Sequence, residues 1–315
     1  MEGRVRRGMM EMAAGVLLCL AAACQPVSAA SRSLSWGDGT QVTVWEQRGR
    51  ALPGRAAQVW SIAYSVTDAT GTHLGVVPPT GDAAQDSSPF LAADTSGTPV
   101  LVWSRFDGVY RKIAYARFTA GAWTGFRYLT FGSGDDDLPL LGTGLTGSFL
   151  FYVSQPDRYL YAPLDLASGR LFAPPRALDV AGLGRQRPRP VLPGFPTVSG
   201  GTDTPVTFKG CRENRSCVQE GQQILQPGDQ TVQGGTDVPI VINKGSHKAF
   251  AWGLGSSPGC SRQVLVIPSA DAKRALVVEF VNGWARLLHR LSLPSQVEDR
   301  FGETLALTYL PAVCN

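Results

Sequence analysis

Between residues 89 and 130, apolar and polar positions fall into four short blocks separated by turn residues. Phe90-Leu91-Ala92-Ala93 gives way to a turn from Asp94 to Gly97, and Val100-Leu101-Val102-Trp103 gives way to a polar loop. Ile113-Ala114-Tyr115-Ala116 runs on to Gly121, and a last block extends from Trp123 to Thr130. Apolar runs this short, bounded by Gly, Pro, Asp and Ser, read as strands. Four of them in about forty residues make one antiparallel meander. Val42-Thr43-Val44-Trp45, Phe149-Leu150-Phe151-Tyr152, Val206-Thr207-Phe208-Lys209, Ala249-Phe250-Ala251-Trp252 and Leu305-Ala306-Leu307-Thr308-Tyr309 resemble the Val100–Trp103 block. Aligned on positions 45, 103, 152, 209, 252 and 309, these second strands recur about every fifty residues. Their continuous apolar character suits strands covered on both faces.

The pattern predicts an all-β chain, a β-propeller of five or six four-stranded blades. Six alignable strands argue for six blades, but the chain stops soon after the sixth, so that blade would borrow strands from the N-terminus. Five blades with a closing hairpin is the other arrangement. Phe118-Thr119-Ala120-Gly121-Ala122-Trp123 and Phe280-Val281-Asn282-Gly283-Trp284 read as hairpin turns between third and fourth strands. Asp86-Ser87-Ser88-Pro89 and Asp136-Asp137-Leu138-Pro139 mark where the chain enters a blade. The fourth unit is irregular, with four prolines between 185 and 201 and a Gln/Gly-rich stretch over 218–237.

The chain start changes the setting. Arg4, Arg6 and Arg7 precede an apolar run from Met12 to Ala23, the layout of an export signal. Val27-Ser28-Ala29 and Ser28-Ala29-Ala30 offer peptidase sites. Ala21-Ala22-Ala23-Cys24 resembles a bacterial lipobox, which would lipidate Cys24. The expected division is a signal over 1–30 and a propeller over 31–315, in a periplasmic or secreted protein with at most a lipid anchor. The net charge of +4 falls to +3 without the three arginines and two glutamates of the signal. That balance lacks the basic stripe of a nucleic-acid binder.

Beyond the signal stand Cys211, Cys217, Cys260 and Cys314, an even number suited to an oxidising compartment. Of three possible pairings, Cys211–Cys217 with Cys260–Cys314 is favoured, because near neighbours meet most easily. His73, His247 and His289 are scattered and no C-x-x-C occurs, so no zinc site is expected. No cofactor is expected beyond calcium at Asp135, Asp136 and Asp137.

Asp94-x-x-Gly97-x-x-Val100-Leu101-Val102-Trp103 with Gly121-Ala122-Trp123 resembles the repeats of secreted bacterial sialidase-like (BNR-type) propellers. The likeness is clear over about 85 to 130, weaker over 139–180 and 239–293, and lacks the Asp-box, S-x-D-x-G-x-T-W. The arginine triad and Tyr/Glu pair of that family match no motif here, so the resemblance implies a fold and no catalytic residue.

A meander alternates its connections between two faces. On one face the turns are short; on the other, longer loops gather Glu46, Arg48, Arg50, Arg55, Arg105, Asp107, Tyr110, Arg111, Asp157, Arg158, Arg212, Glu213 and Arg215, beside Asp82, Asp86 and Asp135–Asp137. Long polar loops on a rigid scaffold are where ligands bind, and guanidinium forks with tyrosine suit carboxylates and sugars. The expected function is a monomeric binding or scaffolding module at the cell envelope, contacting a glycan or protein through Arg48, Arg50, Arg105, Asp107, Tyr110, Arg111, Asp157, Arg158 and Arg212. The alternative is a carbohydrate-active enzyme of hydrolase or lyase type, for which Asp107, Asp157 and Glu213 are the candidate acids. Gly255-Ser256-Ser257-Pro258-Gly259 matches G-x-S-x-G, but Pro258 has no N–H to give an oxyanion, so it reads as a loop.

Overall fold

The computed structural model describes residues 31–36, 38–48, 60–77, 84–106, 108–154, 158–188, 251–269, 271, 273–293 and 300–314. Between 207 and 234 it describes four short strands. The first sheet is β1 (Arg32–Ser35), β2 (Gln41–Arg48), β3 (Trp60–Asp68) and β4 (Gly71–Val77), paired in that order. The second is β5 (Asp86–Ala93), β6 (Pro99–Phe106), β7 (Arg111–Thr119) and β8 (Ala122–Trp123), with β9 (Arg127–Tyr128) also on β7. The third is β10 (Asp136–Gly144), β11 (Gly147–Ser154), β12 (Arg158–Asp165) and β13 (Arg170–Leu171), with β14 (Arg176–Ala177) also on β12. A one-turn helix, α1 (Val180–Arg185), follows.

In the 207–234 stretch β15 (Thr207–Phe208) pairs with β17 (Gln223–Ile224), and β16 (Gly210–Arg212) with β18 (Val232–Gly234). The fourth sheet is β19 (Gly253–Gly255), β20 (Gln263–Pro268), β21 (Arg274–Val281) and β22 (Trp284–Ser292), and α2 (Phe301–Cys314) closes the described chain. All these pairings are antiparallel.

Each large sheet is a meander because its turns are local. Ala120 and Gly121 both take positive φ (52° and 80°), as do Asn282 and Gly283 (47° and 87°). Both φ values positive make a two-residue type I′ hairpin, which matches strand twist. Asp94 caps the β5–β6 turn: its carboxylate accepts from the Ser96 and Thr98 N–H groups at 2.8 and 2.9 Å and from Arg117 Nη2 at 2.6 Å. The sheets stack in chain order. β5 touches β1, β2 and β3; β10 touches β5, β6 and β7; β19 and β20 touch β10. The core is therefore divided between sheets, with Val100, Leu101, Val102 and Trp103 wholly buried in the second strand of the second sheet.

The Asp-x-x-Pro segments are bulges within first strands. Register shifts between Ser87 and Phe90 and between Asp137 and Leu140, and Ser88 and Leu138 take φ of 55° and 54°. A non-glycine residue in that region is strained by about 1–3 kcal/mol and needs support. Ser88 N–H donates to Glu46 Oε1 at 2.6 Å, and Leu138 N–H to Asp137 Oδ1 at 2.8 Å. Glu46 follows Trp45 as Ser104 follows Trp103, and Ser104 Oγ donates to the Asp136 carbonyl at 3.1 Å. The residue after the aligned aromatic thus fastens each of the first two sheets to the bulge of the next.

The second-strand alignment holds at positions 45, 103 and 152, which lie in β2, β6 and β11. It fails towards the C-terminus. Trp252 precedes the first strand of the fourth sheet, whose second strand is β20. Leu305–Tyr309 is helical: Leu305, Ala306 and Tyr309 are buried while Leu307 is 47 % exposed, a helical rather than alternating pattern. The helix seats on glycines that bring backbones together. A Cβ at Gly253 would lie 2.0 Å from the Gly302 carbonyl carbon, and one at Gly255 2.7 Å from that of Ala306. Cys260 and Cys314 form the expected disulfide, fixing the helix end to the fourth sheet. At its other end Glu303 accepts from Arg32 Nη1 of β1 at 2.8 Å and from Arg300, tying the first strand to the last helix. The predicted signal 1–30, Cys24 and Cys217 lie outside the described residues, and Cys211 is described only as backbone in β16.

Candidate functional site

Residues of the second and third sheets and the loops that follow β9 and flank β13 line a cleft of about 1020 Å³. One wall is β9 with the Leu129–Gly134 loop; the other is the Ser168–Pro175 segment around β13, and the floor carries Asp136, Tyr152, Ser154, Arg158 and Leu160. Both walls are fixed from beneath. Lys112, itself buried, donates through Nζ to the carbonyls of Gly132 and, at 3.1 Å, Gly134. Thr130 Oγ1 accepts from the Ile113 N–H at 3.0 Å. On the far wall, the Tyr115 hydroxyl donates to the Leu166 carbonyl. Gly169, at φ +64°, lies against the Tyr115 ring, where a Cβ would come within 2.5 Å of a ring carbon. Burial pushes the Tyr115 phenol up to about 12, so it remains a donor.

The floor is set by strand register. Asp136 pairs with Ser154 across β10 and β11, and Tyr152, two residues earlier, shares that face. Asp136 is 5 % exposed, yet among the described residues its carboxylate makes no hydrogen bond or ion pair. Burial, then the Asp136 charge, raise the Tyr152 phenol far above its ordinary value against a smaller opposing pull from Arg158. Arg127, Arg158 and Arg170 are exposed around the cleft and make no ion pair among the described residues. Phe131 and Phe172 both line the cleft and are 81 % and 72 % exposed. A buried acceptor, a buried donor, three guanidiniums and two open rings can hold a ligand that is anionic, hydroxylated and partly apolar.

The expected loop-face residues divide. Asp136 and Arg158 meet in the cleft. Arg105 does not reach a loop face: it is 2 % exposed and its Nη1 donates to both Asp86 oxygens at 2.9 and 2.8 Å, with its guanidinium 4.5 Å over the Phe126 ring. Arg111 is half-buried, its backbone N–H donating to Asp135 Oδ1 at 2.7 Å and its Nη1 to Ser87 Oγ at 2.8 Å. The Tyr110 ring lies 4.8 Å from Lys112 Nζ. Asp135, Asp136 and Asp137 do not converge as a calcium site would require: Asp135 caps Arg111, Asp136 faces inward, and Asp137 caps Leu138. Successive strand residues face opposite ways, which separates them. Asp82, Asp107, Asp157, Glu213, Arg50, Arg55 and Arg215 lie outside the described residues, and Arg48 and Arg212 end β2 and β16 as backbone only.

Arg127, Arg170, Tyr152, Phe131 and Phe172 are additions from the structure. Tyr152 reads in sequence as a core position; Arg170 shares the third sheet with Arg158, and Arg127 joins them only once the second and third sheets are side by side. Ser256 of the G-x-S-x-G segment accepts from the Thr143 N–H at 3.3 Å in the loop after β19, not at a strand-to-helix elbow.

No family model matches the chain, and no curated protein matches it. Among solved structures, it is similar at a TM-score of 0.30 and 8 % identity to a chain from the complex of the fission yeast SREBP-SCAP binding domains, over 82 % of this chain and 74 % of that one. Nothing about partners follows from that likeness.

Proposed function

We propose that the chain is an exported β-propeller, related to sialidase-like repeat proteins, that works as a binding or scaffolding module outside the cytoplasm. The meander sheets stacked in chain order support the propeller reading. So does the Arg32–Glu303 tie between first strand and last helix, since a ring of blades must hold its ends together. The Cys260–Cys314 bond is compatible with a periplasmic or secreted setting, and Cys24 is the point of lipidation in an envelope-bound form. The ligand is a glycan or a protein.

The observation that carries the reading is the cleft lined by the second and third sheets, with a buried acceptor, Asp136, whose carboxylate has no partner among the described residues. A carboxylate that no protein donor reaches takes its hydrogen bonds from whatever fills the cleft, water or ligand. A mixed array of neutral glycans, acidic glycans and envelope proteins, read for both retention and product release, tests it. Retention without turnover is the expected result. Turnover would replace the module by a carbohydrate-active enzyme, and no retention of any class would remove both readings.

A further inference from the structure

We infer that the cleft recognises an acidic oligosaccharide bearing uronic-acid carboxylates; this rests on the binding-module reading and names its ligand class. The first argument comes from repetition within the chain. In the second sheet the first-strand aspartate, Asp86, is satisfied internally by Trp103 Nε1 at 2.7 Å and by Arg105. The third sheet puts Tyr152 and Ser154 at the positions of Trp103 and Arg105, in the same register. Asp136 therefore keeps the burial of Asp86 without its cation, and it opens on the cleft. Its donors come from whatever fills the cleft, water or a bound ligand.

Charge then selects among occupants. A basic peptide could supply a cation for Asp136, but Arg127, Arg158 and Arg170 around it oppose a cationic ligand. An acidic peptide satisfies the arginines but brings few side-chain donors for Asp136. A uronic acid carries both groups on one ring. Its carboxylate fits a guanidinium fork, and its ring hydroxyls donate to the Asp136 carboxylate and accept from the Tyr152 phenol. The C–H face of a sugar ring can lie against Phe131 or Phe172. The volume of about 1020 Å³ is at the top of the range for single small ligands, which suits a short oligomer.

Calorimetric titration of the purified chain with a galacturonate tetramer, its methyl ester and a sulfated galactan oligomer tests the inference. The tetramer is expected to bind, and esterification to weaken it at least tenfold. Arg158→Met should weaken tetramer binding about tenfold and flatten its salt dependence, while Asp136→Asn should weaken it severalfold with the salt dependence kept. Circular dichroism with a thermal melt distinguishes these losses from misfolding. Arg290→Met, outside the cleft, serves as the unaffected control. Equal binding of acid and ester, preference for the sulfated oligomer, or tetramer binding indifferent to both cleft variants would overturn the inference and leave the module reading standing. A chain that retains no ligand on the array loses the module reading itself.

Discussion

Asp86 and Asp136 occupy one position in two consecutive sheets, each opening a first strand ahead of a bulge and each at most 5 % exposed. Around Asp86 the chain supplies an indole N–H and a guanidinium, and Phe126 covers the guanidinium. Around Asp136 it supplies Tyr152, Ser154 and an open cleft. One backbone device thus serves two ends. In the second sheet the aspartate is part of the core; in the third it is a preformed acceptor that the core does not use. Repeats of a fold differ most in function where a residue that completes one copy is absent from the next.

The largest expected effect follows from that contrast. Asp86→Ala removes the carboxylate that the buried Arg105 guanidinium and the Trp103 indole both bond and should destabilise the protein by about 3–5 kcal/mol. Asp136→Ala removes a cleft-lining carboxylate that has no partner among the described residues and should change stability by no more than about 1 kcal/mol, in either direction. Urea unfolding midpoints of the two variants check this. Equal losses would mean that Asp136 is a structural residue after all.

Much of this contrast is legible in the sequence, and one step of it is not. The Asp-x-x-Pro pairs and the alignment of positions 45, 103 and 152 identify the first and second strands, so Arg105 and Ser154 can be set side by side from the letters alone. What the letters do not carry is that the bulge turns Asp86 towards Arg105, which reads as a loop arginine because it follows an apolar run. Nor do they bring Arg127 to Arg158 and Arg170, since that depends on how neighbouring sheets stack. Short-range turn chemistry was readable at Ala120-Gly121 and Asn282-Gly283 because two-residue hairpins are decided locally. Leu305–Tyr309 misled for the opposite reason: L-x-L-x-Y satisfies a strand alternation, and only packing against Gly253 and Gly255 selects the helix that exposes Leu307.

The cleft wall offers a second, smaller break. Gly169→Ala adds a Cβ against the buried Tyr115 ring at a positive φ, and about 1–3 kcal/mol of stability should be lost. Gly121→Ala meets nothing within 4 Å, so it should lose only the backbone strain, about 1 kcal/mol. Thermal melts would separate them, and a Gly169 variant no worse than the Gly121 variant would mean that the wall is not held by Tyr115.

The two tyrosines repeat the contrast in miniature. Tyr115→Phe deletes a bond to the Leu166 carbonyl and should cost about 1 kcal/mol. The Tyr152 hydroxyl has no partner among the described residues, so Tyr152→Phe should stay within about 0.5 kcal/mol. If Tyr152→Phe proved the costlier of the two, its hydroxyl would belong to the core and not to the ligand.

Acid should act on the satisfied carboxylates and have the smallest effect. At Asp94, burial pushes the carboxyl up, but the Ser96 and Thr98 hydrogen bonds and Arg117 outweigh it, leaving the group below its ordinary 3.8. At Glu303, burial is likewise outweighed by the Arg300 bond and the Arg32 and Arg300 charges, leaving it below 4.5. A carboxyl depressed in the fold binds fewer protons there than in the unfolded chain, so its stabilisation is complete above the unfolded value and is lost as pH falls through the folded one. Stability should therefore be level with respect to these two groups from pH 7 down to about 5 and decline below about 4.5. Arg117 and Arg300 are 28 % and 38 % exposed, so solvent screening keeps the decline shallow. Urea midpoints measured from pH 7 to pH 3 should show it, and Asp94→Asn and Glu303→Gln should each remove part of the slope. A slope unchanged by both substitutions would shift the acid sensitivity to other carboxylates and leave the turn cap and the helix tie without the electrostatic role their geometry gives them.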